Sequence, residues 1–595
     1  MEQTTPEARP RRRWRVVVWI SVAVLLIVAA AGAWVATRVL AVRDDLSAVA
    51  ALENRAQEAL KTGDTAALTE IVAEVEDHAA SAVDESNDPL WRFAEVLPGL
   101  GPNLSAARMV AEQVSSLSSE VASPLVAVMN DLGDRELMAG GAIDVSVIQH
   151  VREPVLSAAR AVAASQTAVK GQPREQLIGE VADGVDDLAS LTQSLSVTVD
   201  ALDDLTAVVP GILGADGPRS ILVMFQNNAE LRSGGGITGS FAEFTVDAGA
   251  ITLTRQADSS DFDPVDDDLV AIPSTTAKVY GDSVGRFVQN TTSTPDFDLS
   301  ARLASAWWEK LTGREPDVVV SMDPLVLRSL LAVTGPVDLA GGAQLTRDDF
   351  VRDVMIDPYF KLEFSEQSDY FADLTDRFFS ALMTSSATPS AWIEALRAPL
   401  EQGRISVWSA HDTESSVLAE TAVAGPRARH LAAGESAFAL YFNDSTGAKM
   451  DSRLRVAAGT AVGSCRSDGR VEVAVRVSLS SDAPDDAGTR WPVSMTGGGH
   501  WGVTPGDIAT VVTVVSPPEW FFGGTRSEGA LLGAIDVIDE GLPTSAVEVT
   551  LEPGETTQLE MRFIAPREGD IEPQLLHTPL LRAIEEIESR PLGCN

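Results

Sequence analysis

The strongest constraint on this chain is an uncharged run from Val16 to Thr37, preceded by Arg9, Arg11, Arg12, Arg13 and Arg15 and closed by Arg38. As a helix rising ~1.5 Å per residue the run reaches ~33 Å, enough for the ~30 Å hydrocarbon core of a bilayer. Trp19 and Trp34 lie near its two ends, where amphipathic rings settle at the interface. Small residues from Ala29 to Ala33 offer a cleavage site. Cleavable apolar regions run about 7–15 residues, however, and this one is longer. The expectation is an uncleaved single-pass anchor over 16–37, with a basic tail (1–15) held in the cytoplasm. The bulk of the chain would then lie outside the cytoplasm, at the plasma membrane. No second run of this kind follows.

The 595 residues exceed what one core organises and suggest about three domains. A formal net charge of −41 repels phosphate backbones and anionic lipid surfaces, which excludes nucleic acid as a partner and favours divalent cations or basic surfaces. Basic positions are nearly all Arg, which reads as coding bias. The two cysteines, Cys465 and Cys594, have no CxxC neighbour and no histidine at metal spacing. An even pair in an exported chain points to one disulfide.

Punctuation divides the remainder. Residues 38–209 are Ala- and Leu-rich with apolar residues at helical spacing, as in Leu68, Ile71, Val72 and Val75, and read as a helical bundle or stalk. Breaks fall at Thr62-Gly63-Asp64, Leu97 to Asn103, Gly140-Gly141 and Gly171-Gln172-Pro173. Residues 210–450 alternate strands and helices, the pattern of an α/β domain. Ser220 to Phe225 is a compact apolar run, and Ser240 to Val246 turns at Asp247-Ala248-Gly249 into Ile251 to Thr254, a strand followed by a hairpin. Residues 451–567 alternate strictly, as in Val471 to Val477, and read as an immunoglobulin-like β-sandwich. The tail, 568–595, would carry a short helix near Leu581 to Ile587, and a Cys465–Cys594 bridge would tie it to the sandwich. The fold class is therefore multidomain: transmembrane helix, α-helical bundle, α/β domain, β-sandwich.

The strings Val209-Pro210-Gly211-Ile212-Leu213-Gly214, Gln226-Asn227-Asn228-Ala229-Glu230-Leu231-Arg232 and Gly234-Gly235-Gly236 resemble the domain-of-unknown-function 4012 family of bacterial membrane-anchored proteins. That resemblance covers about 210–565 and implies a location and an architecture without an activity. The segment order also looks like the LytR–CpsA–Psr family, membrane-anchored enzymes that move glycopolymers from polyprenyl-pyrophosphate carriers to peptidoglycan. The arginine set with which that family contacts pyrophosphate has no counterpart here at matching spacings, so the likeness leaves turnover open.

Asn227, Asn228, Glu230 and Arg232 form a dense polar group where α/β sheets place ligands, and Arg377 can reach it in three dimensions. Asn and Arg side chains grip phosphate or sugar hydroxyls, or equally satisfy neighbouring carbonyls. The adjacent glycines lack the Lys-Ser/Thr of a phosphate loop and read as a tight turn. Asp258, Asp261 and Asp263, with Asp266 to Asp268, crowd one loop. They read either as a Mg²⁺ site or as a solvated acidic loop. Six scattered histidines argue against zinc, and Gly281-Asp282-Ser283-Val284-Gly285 lacks the strand and helix that a hydrolase elbow needs. Two readings stand. In one, an envelope protein binds or handles a glycopolymer or its polyprenyl-pyrophosphate carrier, with phosphotransferase-like transfer left undecided. In the other, a non-catalytic envelope scaffold holds other envelope proteins and its polar loop is structural.

Overall fold

The computed structural model describes residues 11–133, 137–463, 466–588 and 591–592. Its contacts divide the chain into two units, one built from Met1–Arg135 with Val147–Thr206, the other from Glu136–Ser146 with Ala207–Asn595.

The first unit is helical. Its leading helix, Arg11–Ala51, contains an apolar stretch long enough to cross a membrane, and that stretch is 6% buried. The chain then turns at Gly63, whose left-handed φ of +66° is the conformation glycine adopts without cost. Asp64 caps the next helix, Thr65–Ser86, by accepting from Ala67 N–H. This helix runs back along the preceding ones, pairing Glu74 with Arg55 of the helix Glu53–Thr62, and His78 with Asp45 and Glu85 with Arg38 of the first helix. The helices Gly101–Leu117, Val145–Lys170 and Gly179–Ile212 add a core of Ala106, Val155, Ala158, Val162, Val185 and Leu188. Alanine-rich faces let these backbones approach closely, which explains a bundle with almost no aromatics.

In the second unit, strands β1 (Met138–Ala139), β2 (Ala142–Ile143), β3 (Arg219–Arg232), β4 (Gly235–Asp247), β5 (Ala250–Asp258), β6 (Val318–Met322) and β7 (Ile405–Ser409) form one sheet. Their order is β1-β2-β5-β4-β3-β6-β7, with β3 parallel to β6 and the other pairings antiparallel. The Gly140-Gly141 break is thus a small hairpin that adds to the edge of this sheet. Leu222 and Met224 pack with Phe241, Phe262, Trp307 and Trp308 under the helix Phe297–Thr312. Val223 and Phe225, one residue out of phase, face the layer built from Pro324–Thr334 and Phe364–Met383. Helices thus cover both faces.

Two further sheets pack against each other. β8 (Ala437–Asp444), β11 (Ile508–Val515), β14 (Ile535–Asp539), β15 (Leu542–Leu551) and β17 (Gln574–His577) lie in one, in the order β14-β15-β11-β8-β17. β9 (Leu454–Gly463), β10 (Arg470–Ser481), β12 (Phe521–Ser527), β13 (Ala530–Leu532), β16 (Thr556–Glu568) and β18 (Glu585–Glu586) lie in the other, in the order β13-β12-β16-β10-β9-β18. Phe438, Phe442, Val475, Val512, Met561 and Phe563 fill the space between. The sandwich begins at Ala437, before the expected boundary at 451, because β8 is one of its interior strands, paired with β11 on one side and β17 on the other.

The tail corrects one expectation. Leu581 to Ile587 is not helical: β17 lies parallel on β8, and β18 on β9. A backbone group expected inside that helix bonds outward instead, Ile587 N–H to Ala458 O at 2.9 Å, and just before it Thr578 N–H donates to Leu440 O at 3.0 Å. Cys465 and Cys594 lie outside the described residues, and so does the bridge expected between them.

Thr578 accepts from buried Phe442 N–H at 3.2 Å and donates to Ser233 O at 3.3 Å. Thr578→Val keeps the shape and leaves both groups without this partner. It should lower the unfolding free energy by about 1–3 kcal/mol, read from the urea midpoint at unchanged m-value.

Candidate functional site

The polar string does not end a strand. It continues β3, whose ladder with β4 breaks register between Asn227 and Leu231, so Asn228, Ala229 and Glu230 bulge out of the pairing. The glycines opposite make room. A Cβ on Gly235 (φ +136°) would stand 2.3 Å from Gln226 Oε1, and one on Gly236 would stand 2.3 Å from the Asn227 carbonyl. These are close approaches that only glycine permits.

The polar side chains of the bulge bond internally. Asn228 Nδ2 donates to Asp323 Oδ2 at 3.0 Å and to Pro579 O at 2.8 Å. Asp323 caps the helix Pro324–Thr334 and pairs with Arg404, which donates onward to Leu580 O at 2.8 Å. Glu230 binds Lys449 and, at 3.3 Å, Arg232. Arg232 is 7% exposed and spends its other donors on Leu231 O and Asn290 Oδ1 at 2.8 and 3.0 Å. Asn228, Glu230 and Arg232 therefore come together with their polar groups turned inward. Arg377 does not join them. It pairs with Asp373 at 2.6 Å and donates to Asp338 O at 3.4 Å.

The acidic loop is also spent locally. Asp258 accepts from Ser260 N–H at 2.9 Å and Asp261 accepts from Asp258 N–H at 2.8 Å, a reciprocal cap of one short turn. Asp263 is exposed. Among the described residues no three His, Cys, Asp or Glu side chains converge as a metal-ligand set.

Beside this closed cluster lies a cavity of about 270 Å³. Its walls include Val223, Phe225, Leu330, Phe371, Leu374 and Phe378, from the sheet and the two helices over it. One part of the lining is polar: Gln226, Asn227, Tyr359 and Lys449, with Asp258 and Ser259. Asn227 Nδ2 donates to Tyr359 Oη at 2.7 Å, and Lys449 Nζ stands 5.2 Å from the centroid of the Tyr359 ring. Of the residues singled out from sequence, Asn227 and Asp258 border this space. Tyr359 and Lys449 were not foreseen. Their only signal is rarity, since the chain has 4 tyrosines and lysine is uncommon.

Burial governs the electrostatics. Taking Lys449 out of water favours the neutral amine, but the Glu230 carboxylate and then Tyr359 outweigh this and raise its pKa. Burial raises Asp323 against the pull of Arg404. Asp444 is pushed up to about 6 by burial and then by the charge of Glu230. Asp451, which accepts from Leu231 N–H at 2.7 Å, is raised well above the usual carboxylate range by burial and then by Asp444. Arg232 and Lys449 thus face three carboxyls in one buried junction, two of which, Asp444 and Asp451, burial shifts toward the protonated form.

An α/β sheet joined to a β-sandwich through a buried polar bulge, with an apolar cavity alongside, defines the kind of domain this is. Residues 216–359, which carry the bulge and most of the sheet, match the family described as Protein of unknown function (DUF4012). This region of the chain is a DUF4012 region. No curated protein matches the chain.

Arg404 is the counter-charge of a fully buried carboxylate. Arg404→Met should cost about 3–5 kcal/mol in urea unfolding, whereas Arg377→Ala, which removes an exposed helix pair, should cost under about 0.5 kcal/mol.

Asp444 should leave a pH signature. Unfolded aspartates titrate near ~3.9, so the native chain holds an extra proton between there and about 6. This contribution to stability is complete below about pH 4 and lost as pH rises through 6. The stability difference between wild type and Asp444→Asn should therefore fall across that window and level off above pH 7. Urea titrations of both proteins at stepped pH check it.

Proposed function

We propose that this chain is a membrane-anchored, extracytoplasmic envelope protein whose α/β domain holds the hydrocarbon chain of an envelope lipid. The occupant we favour is the polyprenyl carrier of an envelope glycopolymer. The observation that carries the reading is the cavity of about 270 Å³, apolar over most of its wall and polar at Asn227, Tyr359 and Lys449. Its volume lies at the small end for ligand pockets and suits part of one chain with one polar group. Lining of this kind rewards burial of hydrocarbon at ~25 cal/mol per Å². The leading helix supplies the anchor, its arginines the cytoplasmic side.

Holding is favoured over transfer. Among the described residues no arginine borders the cavity, and Lys449 is already paired with Glu230. A pyrophosphate in a transfer reaction calls for several unpaired cations or a metal. Asp258 and Asp261 give carboxylate oxygens to their own turn, so the reading invokes no Mg²⁺.

The closed bulge favours a second reading, a non-catalytic scaffold in which the polar string only fastens the sheet to an immunoglobulin-like sandwich. Gly239 separates the two. It borders the cavity, and a Cβ there meets nothing within 4 Å, so Gly239→Leu fills the space without disturbing the ladder. The full chain in detergent should bind a polyprenyl phosphate, and Gly239→Leu should weaken binding at least ~10-fold, about 1.4 kcal/mol. Equal binding by both proteins would place the lipid elsewhere. No binding by either would leave the scaffold.

A further inference from the structure

The end of the helical unit nearest the anchor carries an apolar surface that ordinary folding does not explain. The helix Thr65–Ser86 descends along the preceding helices, its Glu74 meeting Arg55 of Glu53–Thr62, then His78 and Glu85 meeting Asp45 and Arg38 of Arg11–Ala51. The series ends where Trp34 Nε1 donates to Asp88 Oδ2 at 3.1 Å. Trp34 lies within the uncharged run, three residues before its last member, Thr37, and Arg38 stacks on its ring at 4.6 Å. A Trp followed by an Arg is what the boundary between hydrocarbon and water favours. The returning helix therefore brings the chain down to that boundary at Asp88.

There the chain turns through Pro89 to Leu100 before climbing again as the helix Gly101–Leu117. Trp91 and Ala94 face inward, onto Val42 and Leu104. The outward positions are Leu90, Phe93, Val96, Leu97 and Leu100, with Phe93 at 68% and Val96 at 73% exposed. A second turn reaches the same end, since Asn103 accepts from Ile178 N–H at 2.8 Å and donates to Gln176 O at 3.4 Å. Ile178 is 61% exposed. Large apolar side chains clustered in this way mark an interaction surface.

We infer that the turn Pro89–Leu100, together with Ile178, beds into the outer face of the membrane beside the anchor, so that the helical unit is held at two points. The inference rests on the anchor reading of the leading helix. Continuity with the span chooses lipid as the occupant: these side chains lie level with the end of an apolar run already in the bilayer. Charge agrees. The overall acidity of the chain would oppose a lipid surface, yet the acids of this segment are answered locally. Glu85 pairs with Arg38, Asp88 takes Trp34 Nε1 and caps the helix Pro89–Ala94, and Glu95 pairs with Arg108 at 2.7 Å. The exposed cation of the turn, Arg92, suits a lipid phosphate.

Photo-cross-linking of the full chain in native membranes tests this. p-Benzoylphenylalanine is placed singly at Phe93, Val96, Ile27 and Leu60. Ile27 lies mid-run, and Leu60 is as exposed as the turn, at 60%, but near the opposite end of the helix pair. The expected result is phospholipid adducts at Phe93, Val96 and Ile27 and none at Leu60. Lipid at Ile27 with none at Phe93 or Val96 would overturn the inference while sparing the anchor. So would a cross-link from the turn to a second copy or to another protein. Absence of lipid at Ile27 would overturn the anchor, and the inference with it.

Discussion

The second unit depends on one amide. Asn228, pushed out of the β3–β4 ladder, donates from the same nitrogen to the carboxylate that caps the helix Pro324–Thr334 and to a carbonyl of the tail. A buried carboxylate is stable only when its oxygens are answered, and Asp323 is answered by Asn228, by Arg404 and by the first turn of its own helix. Sheet, helix and tail thereby meet at one buried amide nitrogen. The polar string that looks most like a ligand site is the fastening of the domain.

The chemistry left for a ligand is modest in charge and generous in apolar surface. Lys449 stays protonated because Glu230 is beside it, and that pairing also spends much of the attraction it would exert on an anion. Tyr359 and Asn227 satisfy one another. Such a wall discriminates by shape and by hydrocarbon burial more than by charge, which suits holding a chain and does not suit polarising a phosphoryl group.

The sequence made the architecture legible where one periodicity dominated. The helix pair broken at Gly63, the hairpin turning at Ala248-Gly249 and the alternating strands from Val471 all follow their patterns. It misled where long-range pairing overrode local pattern. Leu581 to Ile587 has helical spacing, yet its backbone finds partners on β9. The string from Gln226 to Arg232 reads as a loop because its residues are polar, but partners up to 351 positions away make it a buried strand. Clusters of Asn, Glu and Arg carry the same composition whether they face a ligand or one another, so only the fold could separate the two. Lys449 and Tyr359 sit in no motif and reach the cavity through tertiary placement alone.

The tail's pairing sets an order of events. β17 closes the edge of β8, and Pro579 O completes the hydrogen bonding of Asn228. A chain made from its N-terminus supplies the α/β sheet long before it supplies residues 574–586. Until they arrive, the bulge lacks a partner and β8 presents an open strand edge, the most adhesive surface a sheet can offer. Closing contacts so distant in sequence is also slow. The second unit is therefore most vulnerable in the interval between formation of its first strand and arrival of β17 and β18.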